Sequence, residues 1–261
     1  MIGLSVIDLL NALIGQVVIQ LSVQPTSTDV CQKLCNCISG LANHIYYTDQ
    51  IRDICTVIID WSRTFFSALV PASGKTSPSF EYEDVTLDVK LSAIWSLRIL
   101  RDVLIPGTGS VGLEEVWMGT EGGLGGRECM VRIEYVSTLV THLRSIGKDE
   151  EEEDVHSIQR FLTMIHVPIY NTLKLENAVA IDYWAIWVLL LALWERFNVK
   201  EVVKALPMMW QLQDSVVNEL TPERRACVEG IALGLLSILS ESFDLPNLKS
   251  AVNKVLGLDD D

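Results

Sequence analysis

Residues Gly107-Thr108-Gly109-Ser110-Val111-Gly112 satisfy the GxGxxG spacing with which a backbone can approach a dinucleotide pyrophosphate. That chemistry needs a strand before the glycines and a helix N-terminus after them. Here a helical pattern precedes the motif and more glycines follow, so the stretch reads as a loop. Gly74-Lys75-Thr76 carries the closing letters of a phosphate-binding loop, but Leu69 stands where its first glycine is required. Cys31 and Cys35 share one face of a helical pattern while Cys37 points elsewhere, and no second cysteine pair lies at zinc-site spacing. These thiols, with Cys55, Cys129 and Cys227, read as small apolar core residues. His44, His142, His156 and His166 have no HExxH-like partner and read as isolated residues on helix surfaces. No catalytic, cofactor-binding or metal-ligating residue is assigned, no cofactor is implied, and the chain reads as a non-enzyme.

The charge distribution bounds the partners. Of 34 acidic residues, six form the run Asp149–Asp154 and three the tail Asp259–Asp261, so much of the net charge of −14 is local. The acidic balance argues against nucleic acid or anionic lipid as a direct ligand, since both need a lysine and arginine surface to displace counterions. The run itself reads as a solvated connector or as a docking strip for a basic partner. Ser77-Pro78 lies in a loop and is a dipeptide open to phosphorylation. Six cysteines used as core residues fit a reducing, cytosolic setting.

The elements that must position any functional surface are organised around Ala178–Trp194, AVAIDYWAIWVLLLALW, the longest apolar run in the chain. As a helix it would rise roughly 26 Å, short of the roughly 30 Å hydrocarbon core of a bilayer. Asp182 lies inside it, Glu195 and Arg196 close it, and no basic cluster flanks it. It reads as a core helix that needs protein neighbours on several sides. The N-terminal run resembles neither a signal peptide nor a finished helix start, because Asp8 interrupts it and no basic segment precedes it. The expectation is that earlier repeats of a longer array precede it.

Helical spacing predicts ten helices. The first three cover Leu4–Leu21, Val30–Ile45 and Asp49–Val70, with Thr48 capping the third and Pro71 stopping it. After a loop at 71–83, the fourth covers Val85–Leu104. Pro106–Arg127 holds eight of the sixteen glycines and lacks a sustained period, which predicts a flexible insertion with at most a short turn at Leu113–Trp117. Glu128–Ser145 is the fifth helix, followed by a loop at 147–154, and the sixth starts near Val155 and should kink or end at Pro168. The central run supplies the seventh. Val199–Leu220 is the eighth, bent at Pro207; Thr221-Pro222 opens the ninth; Asn247–Leu256 is the tenth, ended by Gly257.

Helices taken in pairs give units of about forty residues, the size of armadillo or HEAT repeats. The expected fold is all-α: one armadillo/HEAT-like helical-repeat solenoid over residues 1–258 with an acidic tail at 259–261.

Three segments carry a family resemblance: Gly40–Ile51 (GLANHIYYTDQI), Leu206–Asp214 (LPMMWQLQD) and Arg224–Leu233 (RRACVEGIAL). Together they resemble the Eighty-five-requiring (Rolling blackout) family, particularly its fungal-type members. The resemblance implies an armadillo/HEAT-like scaffold that anchors a phosphatidylinositol 4-kinase complex at the cytoplasmic face of the plasma membrane, engaged through the kinase's tetratricopeptide-repeat adaptor. The family's membrane attachment lies in an N-terminal part that nothing in residues 1–261 matches. Membrane contact is therefore expected outside this chain. Tyr47, Asp49, Arg224 and Arg225, within or beside the family-like segments, are the candidates for partner contact. Capping and surface ion pairing are their alternative roles. A different helical-repeat adaptor, acting in transport or trafficking, is the other reading of the same architecture.

Overall fold

The computed structural model describes residues 5–23, 28–43, 48–69, 87–104, 112–146, 155–215 and 220–258. Over these residues the chain is all-α, with no strand. The helices are α1 (Val6–Val23), α2 (Thr28–Asn43), α3 (Thr48–Leu69), α4 (Leu87–Leu104), α5 (Leu113–Trp117), α6 (Gly122–Gly125), α7 (Cys129–Ser145), α8 (Val155–Lys174), α9 (Ala180–Phe197), α10 (Val199–Ser215), α11 (Pro222–Ser242) and α12 (Pro246–Leu256). They form a helical-repeat solenoid of two layers.

The side chains fix the order and direction of the layers. Lys90 pairs with Glu128, Arg98 with Glu134, and Arg101 reaches Ser137, so residue numbers on α4 and α7 climb together and the two helices are parallel. Arg132 meets Asp182 and Arg144 meets Glu195, which makes α7 and α9 parallel in the same way. α11 packs on α9 and extends this layer. In the other layer α3, the α5–α6 segment, α8 and α10 lie side by side. Parallel neighbours need a return element between them, and the members of one layer serve as the returns for the other.

The glycine-rich segment departs from expectation. From residue 112 onward it is a built part of the core, with Leu113, Val116, Trp117, Thr120 and Leu124 all buried. Arg63 on α3 bonds the Met118 carbonyl, Phe66 packs at Gly123 and Leu69 at Gly126, so the segment runs alongside α3. On its other side Glu114 holds Ser157 and Arg160, while Leu124 accepts a bond from Thr172, so it also follows α8. Two short helices thus occupy the place of one long one. The glycines allow it: a Cβ on Gly123 would sit 2.6 Å from the Tyr135 ring and 3.0 Å from Phe66. Gly119 takes φ +79°, a left-handed turn that a side chain would strain. Residues 106–111, which hold most of the GxGxxG motif, lie outside the described residues.

α9 is the core helix that its composition predicts. Tyr183, Ile186, Leu189, Leu190, Leu193 and Phe197 are buried against α7, α8, α10 and α11. Pro168 and Pro207 end neither helix: α8 and α10 continue through them to Lys174 and Ser215. In α8 the turn after the proline is held by Thr172, whose hydroxyl donates to the Pro168 carbonyl at 2.8 Å and the Leu124 carbonyl at 2.9 Å. α1 is long and apolar enough to cross a membrane by length and composition, and its Leu10, Ile14, Val17 and Leu21 are buried in this fold.

Candidate interaction surface

The polar groups inside the array secure its helices to one another. Arg132 is the central one: its Nε and Nη2 donate to Asp182 at 2.8 and 2.7 Å, and its Nη1 donates to the Gly126 carbonyl at 2.8 Å. Asp182 is the third residue of α9 and also accepts the Val179 backbone N–H at 2.9 Å, so it caps the helix it belongs to. A carboxylate at this end is favoured by the helix dipole as well. One buried pair therefore joins the glycine-rich segment, α7 and the start of α9.

Two histidines read as surface residues are instead buried. His142 accepts a hydrogen bond from Trp117 Nε1 at 2.9 Å through Nδ1, which leaves the hydrogen on Nε2, and that atom has no partner among the described residues. Burial, with a smaller push from Arg196, lowers its pKa to about 4, so it is neutral at physiological pH. His166 faces its own Leu162 carbonyl at 2.7 Å and Glu201 on α10 at 2.9 Å. His156 is exposed and His44 lies outside the described residues. Among the thiols, Cys31, Cys35 and Cys55 are buried, Cys129 and Cys227 are half-buried, and Cys37, off the face shared by Cys31 and Cys35, is exposed, so the core reading holds for three of the six. Burial pushes the Cys35 thiol up to about 12, far from a reactive thiolate. Among the described residues no three metal-binding side chains converge.

Among the described residues, three of the surface concavities are shallow. One of about 260 Å³ lies between α9 and α11, lined by Tyr183, Trp184, Trp187, Cys227 and Ile231. Another, about 570 Å³, lies at the turn from α8 to α9 around Arg127, Lys174 and Asn177. A third, about 450 Å³, lies on α8 beside Met118, His156 and Arg160. Each opens broadly to solvent.

The four contact candidates fall in different settings. Arg224 turns inward: Nε donates to the Tyr183 hydroxyl at 3.0 Å, and Nη2 to the Lys174 carbonyl at 3.0 Å and to the Leu175 carbonyl. It clasps the first turn of α11 to the turn between α8 and α9. Arg225 is exposed and pairs with Glu229 one turn on, at 3.0 Å. Asp49 belongs to the first turn of α3, and Tyr47 lies outside the described residues. Arg132, His142, His166 and Glu201 are the structural polar residues that sequence reasoning missed. Their partners are 25 to 50 residues away, beyond the reach of local spacing.

Compared with known proteins, the chain is similar to the protein EFR3 of Pyricularia oryzae, with 26% identity covering 84% of this chain and 23% of that protein. It is similar to EFR3 of Chaetomium globosum at 24% identity, covering 83% of this chain and 23% of that one. Neurospora crassa efr-3 is 24% identical over 94% of this chain and 28% of its own length. The chain thus spans about a quarter of the length of the curated relatives it matches. No family model and no solved structure matches it.

Proposed function

Because the chain is related to the fungal EFR3 proteins along most of its length, we propose that it serves as a scaffold in recruiting a phosphatidylinositol 4-kinase complex to the plasma membrane for phosphoinositide synthesis. The observation that carries this reading is that similarity, which reaches well beyond the three short family-like segments. A two-layer helical array is in keeping with it, since stacked helix pairs offer a long surface to other proteins. The kinase's tetratricopeptide-repeat adaptor is the proposed partner, the cytoplasmic face of the plasma membrane the proposed location, and no catalytic step is assigned to this chain.

Of the two candidates whose side chains are described, Arg225 is the one at the surface, paired with Glu229 one turn on. The test is recruitment in cells. The protein carrying this segment is deleted, and the kinase is followed by fluorescence at the cell edge together with plasma-membrane phosphatidylinositol 4-phosphate. Loss of both, restored by the wild-type protein, is the expected result. Unchanged kinase localisation would overturn the proposal, and capture of transport or trafficking cargo in its place would favour the other adaptor reading.

A further inference from the structure

His166 and Glu201 are both buried, and His166 Nε2 stands 2.9 Å from Glu201 Oε1 across the α8–α10 contact. The other ring nitrogen, Nδ1, lies 2.7 Å from the Leu162 carbonyl. A carbonyl only accepts, so Nδ1 carries a hydrogen and donates it there. A neutral imidazole has no second hydrogen, which leaves a bare Nε2 lone pair facing a carboxylate that also only accepts. The contact closes only with one further proton, held between Nε2 and Oε1. Without it two lone pairs oppose each other, and a buried carboxylate whose Oε2 has no partner among the described residues loses His166 as its donor.

Glu201 sits in a stretch of chain that is set off at both ends. Asn198, where α9 passes into α10, takes φ +51° and ψ −121°, a backbone conformation that is costly for a residue with a side chain. Farther on, Pro207 has no N–H to give the Val203 carbonyl, so the helix ladder of α10 lacks a rung there. The first two turns of α10 are thus tied less firmly to their neighbours in the chain than an unbroken helix would be, and the bond to His166 fastens them to α8.

The other charged groups on the elements packed here have their own partners or face solvent. On α9, Arg132 holds Asp182, Arg144 holds Glu195, Arg224 bonds the Tyr183 hydroxyl, and Arg196 reaches the Ile146 carbonyl. On α5, Glu114 is held by Ser157 and Arg160, and α6 has no titratable residue. On α8 itself Lys174 lies over the Tyr170 ring and His156 is exposed; on α10 Lys200 and Asp214 are exposed and Lys204 is half-buried. None of these bonds reaches His166 or Glu201.

We propose that His166 and Glu201 form a proton-dependent latch: at neutral pH the folded pair holds one shared proton, which fastens the start of α10 to α8, and loss of that proton releases it. A chain opened at this point gives the proton up to water above the ordinary histidine value of about 6.5, so opening releases one proton and becomes about tenfold easier for each pH unit beyond it. The latch therefore favours the closed array on the acid side and fails as the pH rises. His142 acts with the opposite sign, losing its contribution in acid, so the two buried histidines confine the closed array to an intermediate pH range. The inference does not depend on the kinase-recruitment reading.

The test uses the full chain with isotope-labelled histidine and glutamate. At pH 7, nuclear magnetic resonance should find the extra proton on His166 Nε2 or on the Glu201 carboxyl group; an ionised Glu201 facing a bare Nε2 overturns the proposal. Amide hydrogen exchange in the first two turns of α10, corrected for its intrinsic rate, should speed up about tenfold per unit from about pH 6.5 to 8.5. Glu201→Gln removes the need for the proton, because its side-chain amide can donate to Nε2, and should keep these amides protected without that slope. A wild type with no slope, or a Glu201→Gln variant with the same slope, overturns the proposal. Both wild-type measurements decide the matter even where the variant does not fold.

Discussion

Arg132 and Asp182 meet through two parallel hydrogen bonds of 2.8 and 2.7 Å, with each side chain only 2% exposed. The pair spans α7 and α9, and the same aspartate caps α9 while the same arginine holds the carbonyl of Gly126. Removing one partner strands the other charge away from water. Asp182→Asn should therefore cost about 3–5 kcal/mol of unfolding free energy, against well under 1 kcal/mol for breaking the exposed Arg144–Glu195 pair by Glu195→Gln. Urea titrations of the two variants check this, and equal midpoints would show that the buried pair is not holding α7 to α9.

His142 makes the fold sensitive to acid. Its folded pKa of about 4 lies below the ordinary histidine value of 6.5 because burial opposes the charged ring. Between those values the unfolded chain binds the proton and the folded chain does not, so this stabilisation is complete above pH 6.5 and is lost as pH falls toward 4. The effect is about 3 kcal/mol at about 1.4 per unit. His142→Gln keeps an acceptor for Trp117 but does not titrate. Its stability measured from pH 7 to 4 should fall less steeply than that of the wild type.

The glycines divide by what surrounds them. Gly123→Ala would place a methyl 2.6 Å from Tyr135 and should destabilise by about 1–3 kcal/mol through overpacking. Gly230 lies inside α11, where an added methyl group would meet nothing within 4 Å, so Gly230→Ala should instead stabilise by about 0.5–1 kcal/mol. Opposite signs in thermal melts are expected; a harmless Gly123→Ala would mean that the glycine-rich segment is not packed against Phe66 and Tyr135.

Arg224 and Arg225 are adjacent but should behave differently. Arg224→Ala removes the bonds to Tyr183 and to two carbonyls at the α8–α9 turn and should lower stability by about 1–3 kcal/mol. Arg225→Ala loses an exposed i,i+4 pair and should cost under about 0.5 kcal/mol. Any effect of Arg225→Ala on partner capture, measured at unchanged melting temperature, then reports contact rather than folding.

The long helices were legible because their apolar residues repeat at 3.6 over many turns. Ala178–Trp194 announced α9 by composition alone, and Cys31 and Cys35 followed their positions on α2 into the core. The segment from 112 to 127 was not legible as core. A five-residue helix is too short for a period to emerge, and glycines chosen for close approach look the same in sequence as glycines chosen for freedom. Leu113, Val116 and Trp117, at i, i+3 and i+4, were the only local sign of it. Buried histidines were missed for a different reason: Trp117 lies 25 residues from His142 and Glu201 lies 35 from His166, and only the folded array brings them together. Pro168 does not end α8 because tertiary neighbours hold the helix on both sides of the ring, as Thr172 does by bridging Pro168 to Leu124.

Coverage is uneven along the array. α9 buries eight of its residues against α7, α8, α10 and α11, whereas among the described residues α12 buries Val252 alone and rests on α11. The difference in coverage sets an order of opening: amide protons of α12 should exchange with deuterium while those of α9 are still locked.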